Sequence, residues 1–124
     1  MIGRKRILVV DDSKTALMMT SMIVNKGAYE VVTAGDGEEG VQKALTDRPD
    51  LILMDVMMPK MDGFEACKRL RSQEPTRDIP IIMVTTRGEL TNVEIGYEAG
   101  CSDYVTKPIN SVELLTKIRN YLTE

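Results

Sequence analysis

Apolar residues fall along this chain in two alternating rhythms. Short unbroken runs such as Ile7-Leu8-Val9-Val10, Leu51-Ile52-Leu53-Met54 and Ile81-Ile82-Met83-Val84 have the length and branched content of strands covered on both faces. Between them, apolar positions recur at helical spacing: Ala16, Leu17, Met19, Met22, Ile23 and Val24 before Gly27; Val41, Ala44 and Leu45; Phe64, Cys67 and Leu70 after Gly63; Val112, Leu115, Ile118 and Leu122 at the end. The pattern predicts strands over residues 5–10, 29–33, 51–54, 79–84 and 103–106. Helices are predicted after Ser13, Asp36 and Gly63, over 89–99 and over 110–122, with a loop over 72–78. Ser13 or Asp12, Asp36 with Glu39, and Asn110 with Glu113 have the spacing of helix caps. Strand and helix alternate five times without repeat or linker, which predicts an α/β fold: a doubly wound parallel sheet with helices on both faces, in one domain spanning 1–124.

Composition narrows the chemistry. The chain has 124 residues and a formal net charge of -3, and its tight basic cluster is Arg4-Lys5-Arg6, which argues against a nucleic-acid surface. No apolar run approaches the roughly 20 residues that span a bilayer, and the N-terminus lacks a signal segment, so a cytoplasmic protein with no membrane contact is expected. Cys67 and Cys101 lack CxxC spacing and read as small buried hydrophobes. There is no histidine anywhere, which excludes imidazole-based triads and zinc sites and leaves carboxylates, hydroxyls and lysine.

The strand exits carry those groups. Parallel strands deliver their carboxyl ends to one edge of a sheet, where ligands of open α/β folds bind. Here the exits read Asp11-Asp12, Asp55, Thr85 and Lys107. Each has an ordinary explanation: a cap, a loop start, β-branched filler, a solvated turn. Together they place three acids, a hydroxyl and an ammonium at one mouth. Clustered carboxylates call for a hard divalent cation, and an all-oxygen donor set of few protein groups suits Mg²⁺. A carboxylate nucleophile beside it would form an aspartyl-phosphate, with Lys107 and Thr85 holding other phosphoryl oxygens.

These residues, with Asp55-Val56-Met57-Met58-Pro59-Lys60-Met61-Asp62-Gly63 and Tyr104-Val105-Thr106-Lys107-Pro108, closely resemble the receiver domain of two-component response regulators, single-domain chemotaxis-type receivers above all. The resemblance covers essentially the whole chain. It implies a flavodoxin-like (βα)5 three-layer sandwich with strand order 2-1-3-4-5. It implies Asp55 as phosphoacceptor from a histidine kinase or phosphotransfer protein, with Mg²⁺ on Asp12, Asp55 and the Met57 backbone carbonyl and, through water, Asp11. Thr85 and Tyr104 would form a switch in which the hydroxyl moves to the phosphoryl group and the ring turns inward, and the Lys107-Pro108 bond would be cis. Output would pass to a protein target through the face of the fourth helix, fifth strand and fifth helix. The chain would be a monomer or weak dimer, and a signalling domain rather than an enzyme in the ordinary sense.

Some positions vary from the family's habit. Thr86 stands where a smaller residue is usual and narrows access; Met57 and Arg87 are expected to hinder the water that would hydrolyse the acyl phosphate. A phosphatase or phosphotransferase with an aspartyl nucleophile would carry a second acid two residues on, where this chain has Met57. An interaction module indifferent to phosphorylation would be expected to have lost an acid, the threonine or the lysine. A receiver cut from a longer regulator, one driving cyclic-dinucleotide synthesis or transcription, would share all these residues.

Overall fold

The computed structural model describes residues 4–86 and 93–122. Within them the chain runs β1 (Arg6–Val10), α1 (Lys14–Lys26), β2 (Glu30–Ala34), α2 (Gly37–Asp47), β3 (Leu51–Asp55), α3 (Gly63–Arg71), a 3-10 turn (Glu74–Thr76), β4 (Ile81–Thr86), α4 (Val93–Ala99), β5 (Asp103–Lys107) and α5 (Ser111–Leu122). The five strands form one parallel sheet in the order β2-β1-β3-β4-β5. The fold is therefore the flavodoxin-like doubly wound sandwich that the alternation and the resemblance pointed to.

Period-two alternation along the strands divides the core. Leu8, Val10, Ile52, Met54 and Met83 face Ala44, Ala66, Cys67 and Leu70 of α2 and α3. Ile7, Val9, Leu53, Ile82 and Val84 face Val24, Leu114 and Ile118 of α1 and α5. Both cysteines are free and buried. Each fully buried aliphatic side chain contributes roughly 1.5–3 kcal/mol, so the strands are held by the layers on either side more than by their own ladders.

Local chemistry ends the elements as expected. Ser13, not Asp12, caps α1 by accepting from the Ala16 N–H, Asp62 caps α3 through Glu65, and Asn110 caps α5 through Glu113. At α2, Asp36 accepts from the Glu39 N–H, while the Glu39 carboxylate reaches back to the N–H of Gly35.

The structure corrects the sequence reading at several points. β4 begins at Ile81 rather than residue 79, because Pro80 has no N–H; its carbonyl still accepts from the Ile52 N–H at 2.9 Å. Met19 and Met22 do not belong to the inner stripe of α1: with Met18 they are 58–59% exposed, whereas Val24 is buried as expected and Thr20, which the pattern did not mark, is buried with it. In α5 the inner line is Leu114 and Ile118, while Val112 is 74% exposed. The part of the fourth predicted helix over residues 89–92 lies outside the described residues.

Arg71, at the end of α3, is not solvated as its place in a basic helix end suggests. Its guanidinium donates to the carbonyls of Gly100, Arg77 and Ile79 at 2.7–2.9 Å, tying α3 to the end of α4 and the entry to β4. Hydrogen bonds from a charged donor are worth about 1.5–3 kcal/mol net, and several acceptors here share one fork. We expect Arg71→Ala to lower stability in urea unfolding by about 2–4 kcal/mol, with Arg71→Lys recovering less than half.

Candidate functional site

The sheet order brings the exits of β1, β3 and β5 to one edge. Val10 pairs with Met54, so Asp11 and Asp55 leave adjacent strands at the same level. On the other side Asp55 pairs with Val84 and Thr86 with Lys107, which puts Asp55 and Lys107 on one side of the sheet across β4. Lys107 is long enough to span that gap. Its ammonium lies 3.1 Å from Asp11 Oδ2 and 3.2 Å from Asp55 Oδ1. The Lys107-Pro108 bond is cis.

Asp11 and Asp55 are 5% and 6% exposed, and Asp12 is open to solvent. Asp11 is oriented from both ends, its Oδ1 accepting from the Ser13 N–H at 2.9 Å while Oδ2 meets the lysine. Burial pushes the Asp55 carboxyl up to about 6, with the Asp11 charge adding to the rise and Lys107 opposing it. Burial pulls the Lys107 ammonium down, but its two carboxylate partners outweigh that and leave it above its ordinary value. One carboxylate oxygen each from Asp11, Asp12 and Asp55 lie within 4.8 Å of one another. Like charges that close repel by about 4 kcal/mol per pair at an effective dielectric of 20. One ammonium cannot neutralise three acids. The donor set is all oxygen, compact and partly open, which fits a small hard dication that keeps part of its water.

The loop after Asp55 is built to stay put. A Cβ on Gly63 would overlap the Asp55 carbonyl oxygen, and the Gly63 N–H donates to the Val56 carbonyl at 2.9 Å, so the chain folds back on the strand end. Met58 and Met61 are buried anchors at 8% and 6% exposure, whereas the side chain of Met57, just before them, is 62% exposed. These anchors went unnoticed in the sequence, where four methionines in one stretch carry no periodicity.

Thr85 and Tyr104 share the opposite side of the sheet, since Met83 pairs with Tyr104 and Thr85 lies two residues on. Thr85 is 1% exposed and its hydroxyl donates to the Thr86 carbonyl at 3.3 Å. The Tyr104 ring is already inside, 8% exposed, its hydroxyl donating to the Val93 carbonyl at 3.2 Å and its ring edge-on to Tyr97 at 5.4 Å. Burial pushes that hydroxyl's pKa above its ordinary value. Thr86 is exposed at the end of β4, and Arg87 lies outside the described residues.

The response regulator receiver domain model matches residues 7–119 of this chain. Over 118 residues the chain is 42% identical to the alkaline phosphatase synthesis transcriptional regulatory protein PhoP of Bacillus subtilis, covering 95% of this chain and 48% of that protein. It is 38% identical over 117 residues to protein PilH of Pseudomonas aeruginosa, covering 94% of this chain and 97% of PilH. The chain spans about half the length of several of the curated relatives it matches. Its structure superposes with a TM-score of 0.90 and 30% identity on the receiver domain of sensor histidine kinase PA1611 from Pseudomonas aeruginosa PAO1, a structure with magnesium coordinated in the active site cleft; the match covers 98% of this chain and 100% of that one.

Proposed function

The chain belongs to the response regulator receiver domain family of two-component systems, whose members signal by phosphorylation, and on that premise we propose that Asp55 is its phosphoacceptor. The observation that carries this reading is the double contact of Lys107 with Asp11 and Asp55, which joins the ends of the first, third and last strands into one charged centre. In the proposed reaction an Asp55 oxygen attacks phosphorus, the bond from phosphorus to the donor's imidazole nitrogen or carboxylate oxygen breaks, and that group leaves with the electron pair. Attack needs the ionised acid, and a pKa of about 6 leaves it roughly 90% ionised at pH 7. Lys107 then follows the new negative charge to a phosphoryl oxygen, and Thr85 donates to another.

Asp12, Asp55 and the Met57 carbonyl would hold Mg²⁺, with Asp11 acting through water. When bound, the ion supplies neutralising charge to the phosphoryl oxygens in flight. Thr85 and Tyr104 are read as the switch. The ring is buried in this structure, and a switch of this kind answers phosphorylation by a shift in how much time the ring spends inside. The partner-facing surface is that of α4, β5 and α5, where Ile95 and Tyr97 are 47% and 49% exposed.

The rest of the reading is that the donor is a histidine kinase or phosphotransfer protein, the location cytoplasmic, the unit one domain over 1–124 and the turnover limited to its own acyl phosphate. No described helix is long and apolar enough to cross a membrane. Against a module indifferent to phosphorylation stands the full set of acids, lysine and threonine, with two of the acids joined by the lysine. The decisive test is Mg²⁺-dependent labelling from acetyl phosphate, with Asp55→Asn as the comparison.

Met57, two residues after Asp55, is 62% exposed and is read as the side chain that screens the acid. A bulky apolar chain there excludes water from the acyl phosphate. We expect the Met57→Asn, Arg87→Glu double variant to lose label about tenfold faster than wild type, about 1.4 kcal/mol in the barrier, in a pulse-chase of the phosphorylated protein. An unchanged half-life would remove the shielding role.

A further inference from the structure

Gly96 stands in the middle of α4, between Ile95 and Tyr97, where a helix is locally better served by almost any other residue. Its backbone angles do not explain it, since among the described glycines the one at positive φ is Gly100. The space beside it does. A Cβ at position 96 would overlap the Tyr104 hydroxyl oxygen, sit 2.7 Å from Tyr104 Cζ and 3.2 Å from Phe64 Cε1. The missing methyl is the hole that the tyrosine hydroxyl fills. Around it the Val93 carbonyl accepts from that hydroxyl, and Tyr97 lies across the ring at 63°.

We propose that Gly96 is a positioning residue of the switch: the gap it leaves in α4 is what lets the Tyr104 ring lie inside, so that α4, not the sheet, decides whether the inward state exists. This rests on the reading of Tyr104 as the switch residue. The helix cannot easily retreat to make room for a larger residue. The Gly96 carbonyl accepts from the N–H groups of Gly100 and Cys101 at 3.1 Å, and Arg71 holds the Gly100 carbonyl at 2.8 Å. The ring, with two free torsions, is the part that yields. Adding a methyl at 96 therefore expels the ring toward the surface beside Tyr97, on the face proposed to meet the partner.

The test is Gly96→Ala in the full chain, alone and combined with Tyr104→Ala, followed by thermal unfolding and by NMR of ring-labelled tyrosines. If the gap serves the ring, Gly96→Ala lowers the melting temperature by several degrees in the wild-type background and leaves it unchanged or raised where the ring is absent. The Tyr104 ring should also lose its contacts with Phe64. An equal loss of stability in both backgrounds, or a ring that keeps its Phe64 contacts in Gly96→Ala, overturns the proposal. Should Gly96→Ala alone fail to fold, a folded double variant supports the proposal and an unfolded one overturns it.

Beryllofluoride with Mg²⁺ separates this from the switch reading. Wild-type Tyr104 signals should respond to it, whereas in Gly96→Ala they should stay at the outward position with and without it. Coupling between residues 96 and 104 without any response in the wild type would leave the seat standing and refute the switch.

Discussion

Wild-type protein given acetyl phosphate and Mg²⁺ should take up label on one residue, and Asp55→Asn should take up at least about a hundredfold less. The amide is nearly the shape of the carboxylate and can still accept from Lys107, so the variant should keep its fold while losing the nucleophile. A hundredfold loss corresponds to about 2.7 kcal/mol in the barrier, well below what removing the attacking atom costs when neither neighbouring acid of the cluster is placed to replace it. Asp11 is committed to the Ser13 N–H and to Lys107, and Asp12 lies in solvent at the rim. Label retained at the wild-type rate would mean that another group accepts the phosphoryl, and the proposed role of Asp55 would be lost.

The second large effect is on stability. Asp55 has an ordinary carboxyl value of 3.8 and is raised to about 6 in the fold. A raised acid binds its proton more tightly folded than unfolded, so between those two values stability falls as pH rises, and above about 6 the whole penalty is present. Two units correspond to about 3 kcal/mol as an order of magnitude, and the side chain's burial leaves little solvent to soften it. Without divalent metal, Asp55→Asn should therefore be more stable than wild type by about 1–3 kcal/mol at pH 7.5 in urea unfolding, with the gap closing toward pH 4. Mg²⁺ at a hundred times its dissociation constant should raise the wild type by about 2.7 kcal/mol at pH 7.5 and the variant by much less. A gap that does not narrow with acid would show that Asp55 is not the strained group.

Much of this was legible before any coordinates. Buried parallel strands announce themselves as runs of Ile, Leu and Val, and an acid, hydroxyl or lysine directly after such a run can lie only at the sheet's edge. Asp11, Asp55, Thr85 and Lys107 were found that way. Helix faces were harder. Methionine is apolar in the pattern but cheap to expose, so Met19 and Met22 were counted with Leu17, Ile23 and Val24, which do face the core, while the inward Thr20 was missed. Contacts set by distance in space rather than in sequence were not readable at all. Nothing near Arg71 announces Gly100, 29 residues away, and nothing near Gly96 announces the ring it accommodates.

The clasp of Arg71 on Gly100 fixes one end of α4, while the other end carries the carbonyl that Tyr104 engages. Pinned at both places, α4 is a fixed wall against which the ring must find its seat. A partner docking on Ile95 and Tyr97 would therefore meet a firm surface whose variable part is the aromatic side chain, not the backbone.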